Sequence, residues 1–214
     1  RPGTARARTT GGWSVVTFAM TKGDGEAGDG GYKIGFETEE TLGEDELASL
    51  CELKNRTYAV AEEGLFKEEL LLTQRTNRAD LASRVARGQL VTTRFGGERG
   101  EIIGCITCEI LKADATTGEF GMLVTRPDHR HKGVGRRMIA YCEDFCRKEK
   151  GAKTMQLVLL HPKTWKQKSK EILKVWYPKL GYSKGEELDF LELYPQHAEG
   201  LITETLFTVY SKAL

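Results

Sequence analysis

Long apolar runs are missing from this 214-residue sequence. None approaches the ~20 residues that a membrane-spanning helix needs, so we expect no membrane insertion. An excess of charge of one sign is also missing, since 32 Lys and Arg stand against 31 Asp and Glu, for a net charge of +1. Proteins that bind nucleic-acid phosphates usually carry a strong basic excess, and nucleic acid is therefore not an expected partner.

Cysteine is scarce, and its five copies make an odd number. An odd count fits poorly with a framework of disulfides. Cys105 and Cys108 have the spacing of some metal and redox sites, but no second pair lies in a loop and no histidine is near. We predict no metal site, and we interpret the cysteines as small buried hydrophobic residues in a reducing, cytoplasmic protein.

A continuous apolar h-region is missing from residues 1–31, so a signal peptide is not predicted. The segment 13–20, WSVVTFAM, is compatible with a β-strand, and the glycine-rich segment after it has the composition of a flexible linker. We treat 1–31 as an N-terminal extension and 32–214 as one domain. That length suffices for a single sizeable core.

The most informative stretch lies between Gly118 and Gly151. Residues 119–125 are apolar and β-branched, which predicts a buried strand, and a polar segment leads from it to Gly133 and Gly135. Apolar residues then recur at spacings of three and four, which predicts a helix from Val134. Unpaired amides in the first turn of a helix, the positive end of its dipole and close backbone approach at glycine favour an anion such as pyrophosphate. Four basic residues surround this turn: Arg130, Lys132, Arg136 and Arg137.

The rest of the chain predicts alternating blocks of strands and helices. In order these are a strand at 32–38, a helix with capping-box spacing at 41–44 that ends near 61, helices at 65–74 and 77–87, strands at 89–94, 101–111 and 119–125, the helix from 134, a strand at 154–160, a helix at 164–177, and strands at 188–194 and 201–212. This order predicts an α/β (α+β) fold in which helices cover both faces of a mixed sheet.

Two common phosphate-binding motifs are excluded. The sequence has no G-x-x-x-x-G-K-[ST], and a dinucleotide fingerprint would need a third glycine near Met138. The residues Arg130-x-x-Gly133-x-Gly135 do match the R/Q-x-x-G-x-G/A signature of the GCN5-related N-acetyltransferases (GNAT), in a strand-turn-helix context. A second stretch, at 176–182, resembles that family's aromatic-Tyr-x-Lys-x-Gly-aromatic segment, and the family's order of elements can be laid over the chain from about Tyr32 to its end.

The resemblance implies a GNAT-like, mostly antiparallel central sheet in which the central strand and the Thr154 strand splay apart. In the family that gap takes the pantetheine arm of acetyl-CoA, the expected cofactor. Many relatives carry an asparagine that touches the cofactor, seven positions before the tyrosine of this segment. That tyrosine is Tyr177 here, and Lys170 stands in the place of the asparagine. The cofactor-binding residues implied in this way are Met122, Leu123, Val124, Arg130, His131, Lys132, Gly133, Val134, Gly135, Arg136 and Lys170.

Transfer of an acetyl group to an amine requires removal of a proton, because a lysine-like amine is only about 0.05% neutral at pH 7. Glu119 lies fourteen positions before Gly133, a spacing that resembles the catalytic glutamate of histone-type relatives. It is our first candidate for the base, with His161 as the alternate. Tyr177 is the candidate general acid, although Pro178 disfavours a helical conformation for it. For each of them a purely structural role remains open: Glu119 at a strand edge, His161 at a strand end and Tyr177 in the core.

The resemblance thus implies a cytoplasmic, acetyl-CoA-dependent N-acetyltransferase that acts on a small-molecule amine by direct attack in a ternary complex. A ping-pong route through Cys105 or Cys108 is less favoured, because neither has a histidine nearby in the sequence. A protein lysine or N-terminal acetyltransferase is an alternative, as is a catalytically silent acyl-CoA-binding module. The sequence leaves open whether the chain forms a homodimer, and the motifs do not identify the acceptor.

Overall fold

The computed structural model describes residues 31–68 and 76–214. Seven strands form one sheet in the order β1-β2-β3-β4-β5-β7-β6, with β4 and β5 parallel and every other pair antiparallel. The strands are β1 Tyr32–Phe36, β2 Leu90–Phe95, β3 Glu101–Leu111, β4 Asp114–Thr125, β5 Thr154–Pro162, β6 Ser183–Asp189 and β7 Thr205–Ala213. The mixed, mostly antiparallel sheet expected from the sequence is confirmed.

Helices cover both faces of the sheet. They are α1 Glu44–Ala61, α2 Arg78–Ala86, α3 Val134–Lys150, α4 Lys168–Lys179 and the single turn α5 Phe190–Leu193, and short 3-10 turns occupy Pro127–His129 and Pro195–Gly200. The apolar sides of α3 and α4 pack in one core cluster, and those of α1, α2 and α5 pack in another. Phe120 and Leu123 of β4 belong to the first cluster, and Met122 and Val124 belong to the second.

The N-terminal part of α1 is tied to the sheet by Arg94 of β2. Its guanidinium donates to Glu37 at 3.0 Å and to Glu46 in the first turn of α1 at 2.5 Å, and it also donates to the carbonyl oxygen of Gly100. Hydrogen bonds to Glu46 raise the pKa of Arg94 above its ordinary value. Charge-assisted bonds of this kind are stronger than neutral ones, so they fix where α1 crosses the sheet.

Several predicted boundaries are confirmed. The Asn77 side chain accepts from the amide of Asp80 at the start of α2, as an N-cap should. The strand predicted at 101–111 and the helix predicted from Val134 begin where expected. The predicted strand at 13–20 and part of the predicted helix at 65–74 lie outside the described residues.

Three local predictions are wrong. Helix α1 is capped at Gly43, not at Thr41, and the Glu46 carboxylate accepts from the Gly43 amide. The strand predicted at 188–194 is the end of β6 followed by α5, whose start is capped by the Asp189 carboxylate. Helix α4 begins four residues after the predicted cap at Thr164, and it continues through Pro178 to Lys179.

Among the residues the structure describes, none of the helices combines the length and apolar character needed to cross a membrane.

Candidate active site

Strands β4 and β5 separate at the centre of the sheet, as the family resemblance implied. Their parallel ladder runs from the pair Thr117–Thr154 to the pair Glu119–Gln156 and stops there. Both strands continue: β4 extends six residues further, and β5 remains paired with β7 as far as Pro162. An opening therefore lies between the carboxyl ends of two parallel strands, where α/β folds usually place their ligands.

A backbone bulge faces this opening. Thr107 pairs with Gly121 and Cys105 pairs with Val124, so β4 carries one more residue than β3 between these pairs. Met122, inside the bulge, has a φ of 53°. Left-handed backbone is uncommon for a residue with a side chain, and bulges often re-aim groups beside active sites. The bulge lies next to Leu123 and Val124, two of the predicted cofactor-binding residues.

The loop after β4 has the geometry of an anion site. His131 and Gly133 adopt φ values of 63° and 75°, and Gly133 is the N-cap residue of α3. No side chain of the described residues caps this helix start, and its first turn contains no acid. The positive end of the helix dipole is therefore available to a phosphate group. Arg130, Lys132 and Arg136 supply additional positive charge around it.

A cavity of about 720 Å³ leads from this loop along α1. Arg130 and Pro127 line it on the side of β4, Ser169 of α4 lines it on the side of β5, and Thr57 and Ala61 of α1 lie between them. The Ser169 hydroxyl donates to Gln167 Oε1 at 2.7 Å and lies 3.5 Å from the Ala61 carbonyl oxygen, so the end of α1 is close to the start of α4. Most of its lining comes from α1, and the rest comes from the start of β3, the loop after β4 and Ser169.

Tyr177 of α4 points into the core beside the opening. Its ring packs against Phe120 of β4 and Tyr210 of β7, with centroid distances of 6.4 and 5.6 Å. The side chain is fully buried, and its hydroxyl has no hydrogen-bond partner among the described residues. Burial, together with the nearby Tyr58 and Tyr210 hydroxyls, raises the pKa of Tyr177 well above its ordinary value. Tyr177 therefore carries an available proton.

Tyr58 was not identified from the sequence. It is on α1, which packs on the opposite face of the sheet from α4. Its hydroxyl adds to the raised pKa of Tyr177, although the two side chains belong to helices on opposite faces of the sheet. Tyr58 belongs to the buried residues of α1 at positions 47, 50, 54, 58 and 61, and this helical spacing indicates that it faces inward. No local sequence pattern indicates which side chain it contacts.

Glu119 lies at the last rung before the strands separate. It is 5% exposed, and one carboxylate oxygen accepts from Gln156 Nε2 at 2.7 Å. Burial raises the pKa of Glu119 to about 7, against the lowering effect of the Gln156 hydrogen bond; Glu109 adds to the increase and Arg84 reduces it. A carboxylate that titrates near neutral pH suits a general base.

The alternate base, His161, makes hydrogen bonds to other groups of the protein through both ring nitrogens. One of its ring nitrogens lies 2.9 Å from the carbonyl oxygen of Pro162, and the other lies 2.8 Å from the Thr208 hydroxyl. It is buried on the α4 side of the sheet, and burial lowers its pKa. Since both ring nitrogens already have partners, the geometry favours Glu119.

The two cysteines weighed as nucleophiles are poorly activated. Burial raises the pKa of Cys105 to about 12, although Lys54 and Arg84 reduce the shift. The pKa of Cys108 is also raised, first by its contact with Cys142, and its sulfur lies 3.4 Å from that of Cys146. A thiol that stays protonated at neutral pH is a weak nucleophile, which favours direct transfer. Among the described residues no group of three or more His, Cys, Asp or Glu side chains is arranged to hold a metal ion.

Lys170 is fully buried in the first turn of α4, whereas Lys166 and Lys168 nearby are exposed. The structure therefore places Lys170 inside the protein near the start of α4. It does not bring Lys170 to the surface of the loop at 130–136, which we call the phosphate loop. The other predicted cofactor residues form two groups: the bulge at 122–124 and the loop at 130–136.

The comparisons with known proteins agree with this geometry. A family model described as an acetyltransferase (GNAT) domain matches residues 90–184. This range includes the bulge, the phosphate loop, Glu119 and Tyr177. No curated protein matches the sequence.

Solved structures share the fold at low sequence identity. An aminoglycoside 6'-N-acetyltransferase complexed with coenzyme A is 16% identical with a TM-score of 0.58, and the match covers 85% of this chain and 96% of that one. The yncA protein of Salmonella typhimurium, with its cofactor acetyl-CoA, is 13% identical with a TM-score of 0.57, over 86% and 94% of the two chains. N-acetylglutamate synthase from Neisseria gonorrhoeae, complexed with coenzyme A and N-acetyl-glutamate, is 17% identical with a TM-score of 0.52; the match covers 86% of this chain but 35% of the synthase.

Proposed function

We propose that this chain, whose residues 90–184 match the model of an acetyltransferase (GNAT) domain, transfers the acetyl group of acetyl-CoA to the primary amine of a small molecule. The observation that carries this proposal is the position of the bulge at Met122, which lies beside the opening between β4 and β5. Backbone amides there lie beside the gap that follows the last paired residues of β4 and β5.

The residues present fit acetyl-CoA. The uncapped start of α3 suits its pyrophosphate, and a Cβ built on Gly133 meets nothing within 4 Å, so space is open beside this turn. The cavity between Arg130 and Ser169 offers a route for the pantetheine arm. The Tyr177 hydroxyl is a buried donor that lacks a partner within the described chain, and a thiolate would supply one.

When bound, acetyl-CoA supplies an acetyl group activated as a thioester. Glu119 takes the proton from the acceptor ammonium, directly or through water, and an ordinary amine requires about 4.6 kcal/mol for this step at pH 7. The amides of Leu123 and Val124 would donate hydrogen bonds to the thioester carbonyl oxygen as the neutral amine attacks the carbonyl carbon and negative charge develops on that oxygen. The Tyr177 hydroxyl, which burial keeps protonated, would give its proton to the sulfur as the carbon–sulfur bond breaks.

The small-molecule acceptor is supported by the coenzyme A complex of an aminoglycoside acetyltransferase among the similar folds. The test is a panel of small amines and of lysine and N-terminal peptides, with acetyl-CoA and detection of free thiol. We expect thiol release with small amines. Faster release with peptides would show a protein acetyltransferase, and coenzyme A binding without release across the panel would show a silent acyl-CoA-binding module.

A further inference from the structure

Lys54 is a charged residue on the buried side of α1. The buried residues of this helix recur at the spacing that defines one helical face: Leu47, Leu50, Lys54, Thr57, Tyr58 and Ala61. Only 2% of Lys54 is exposed. Burying an ammonium group is unfavourable unless the protein compensates for it, so a lysine at this position requires a physical explanation.

Two contacts of Lys54 connect α1 to the bulge and to α2. Its Nζ donates to Met122 Sδ at 3.2 Å, and it lies 4.0 Å from Asp80 Oδ2. Arg84 Nε lies 3.5 Å from the same carboxylate oxygen, and the Thr76 hydroxyl donates to it at 2.7 Å. Burial acts to raise the pKa of Asp80, but the Thr76 bond and the charges of Arg84 and Lys54 lower it overall. Asp80 is therefore an anion that holds Lys54 in place.

Met122 needs external support, because its φ of 53° is left-handed. A left-handed backbone is strained for a residue with a side chain, and such strain persists only where neighbouring groups over-determine it. A Cβ at Gly104 would lie 2.6 Å from the Val124 carbonyl oxygen, so β3 and β4 are in close contact beside the bulge. The Met122 side chain is fully buried, with the Lys54 ammonium at its sulfur.

We propose that Lys54, anchored by Asp80, is a positioning residue that holds Met122 in its bulge conformation and thereby aims the amides at 123 and 124. This inference rests on the proposed acetyl transfer. Lys54 touches the side chain of the bulge residue, on the opposite face of the sheet from α3. Its loss should therefore affect the chemical step more than the binding of the cofactor phosphates.

The test compares Lys54→Met, Met122→Leu and the double variant with the wild type, by measuring kcat with the best amine and coenzyme A affinity by calorimetry. We expect each single substitution to lower kcat about tenfold while the Kd for coenzyme A stays within about twofold. In the double variant we expect no more than about a twofold further loss, because both changes remove one interaction. Lys148→Met, at an exposed position on α3, is the matched control and should retain wild-type kcat.

Independent, multiplicative losses in the double variant would overturn the proposal, as would an unchanged kcat in Lys54→Met. If Lys54→Met fails to fold, Met122→Leu still decides, because it removes the sulfur contact at nearly constant volume; unchanged kcat in that variant contradicts the proposal. Absence of any wild-type turnover would instead count against the proposed function itself.

Discussion

Glu119 and Gln156 face each other at the last parallel rung between β4 and β5, and a 2.7 Å hydrogen bond joins their side chains. This pair marks the point at which the sheet opens. A buried carboxylate lies there because the neighbouring strand supplies one amide donor, which offsets part of the cost of burial. The same pair sets the pH range in which Glu119 can act as a base.

The first prediction concerns Glu119→Gln. We expect kcat to fall at least about 100-fold, since a positioned general base contributes that much or more. Steady-state kinetics across pH 5–9 will check this, and the wild-type rate should rise with pH through about 7, where Glu119 loses its proton. A variant with wild-type kcat and an unchanged pH profile would show that another group is the base.

The same substitution has a consequence for stability. Because the folded-state pKa of Glu119 lies near 7, above its ordinary value of 4.5, the native state binds the proton more tightly than the unfolded state. The carboxylate should therefore reduce the free energy of unfolding as pH rises from about 4.5 to 7, by up to about 3 kcal/mol. Urea denaturation at several pH values should show this decline in the wild type and a smaller one in Glu119→Gln.

A second prediction uses Gln156→Met, which removes the hydrogen bond that lowers the pKa of Glu119. We expect that pKa to increase further, so that the acidic limb of the rate profile moves to higher pH by about one unit. Glu109, opposite Glu119 on β3, and the nearby Arg84 remain in place and continue to act in opposite directions. A limb that stays in place or moves to lower pH would contradict the assignment of the base.

The third prediction separates activity from stability at Tyr177. Tyr177→Phe should lower kcat about 100-fold by removing the proton donor, and it should raise the free energy of unfolding by about 1 kcal/mol by removing a buried hydroxyl without a partner. The matched control is Tyr182→Phe, whose lost hydroxyl donates to Glu143 at 2.6 Å. That variant should lose about 1 kcal/mol of stability and keep its kcat. Full activity in Tyr177→Phe would exclude Tyr177 as the acid.

The fourth prediction tests the phosphate loop through Gly133→Ala. A φ of 75° is unfavourable for alanine, so we expect a stability loss of about 1–2 kcal/mol and weaker coenzyme A binding. Gly88 is a close control: its φ is 62° and, as at Gly133, an added Cβ meets nothing within 4 Å. Gly88→Ala should lose similar stability in chemical denaturation but bind coenzyme A normally in calorimetry. Equal coenzyme A affinities in the two variants would contradict the loop assignment.

The sequence predicted the elements whose pattern is local and strongly periodic. The helix from Val134 and the strand at 101–111 depend on hydrophobic spacing and glycine punctuation, and both are found in the structure. The strand predicted at 188–194 is wrong because its apolar residues also fit a helical turn, and the Asp189 side chain caps that turn. Pro178 was expected to limit α4, but the chain turns just after it, with the Leu180 and Tyr182 amides both donating to the Tyr177 carbonyl oxygen.

At the site, the signature residues and the splayed strands followed from the family resemblance, whereas the contacts across the sheet did not. Lys54 falls in the apolar series of α1 and could have been identified as inward-facing from spacing alone. Its contact with Met122 spans 68 positions, and the effect of Tyr58 on the pKa of Tyr177 connects helices on opposite faces. Contacts of this kind depend on how the helices pack, which periodicity does not specify.

The account depends above all on the claim that the amides of the loop at 131–136 hold the pyrophosphate of the cofactor. Isothermal titration of the protein with coenzyme A, 3'-dephospho-coenzyme A and pantetheine tests this claim most directly, because 3'-dephospho-coenzyme A keeps the pyrophosphate, whereas pantetheine keeps the thiol arm but lacks the pyrophosphate and the adenosine. We expect the two pyrophosphate-bearing ligands to bind with Kd values within about tenfold of each other and pantetheine to bind at least about 100-fold more weakly. Pantetheine affinity equal to that of coenzyme A would contradict the account.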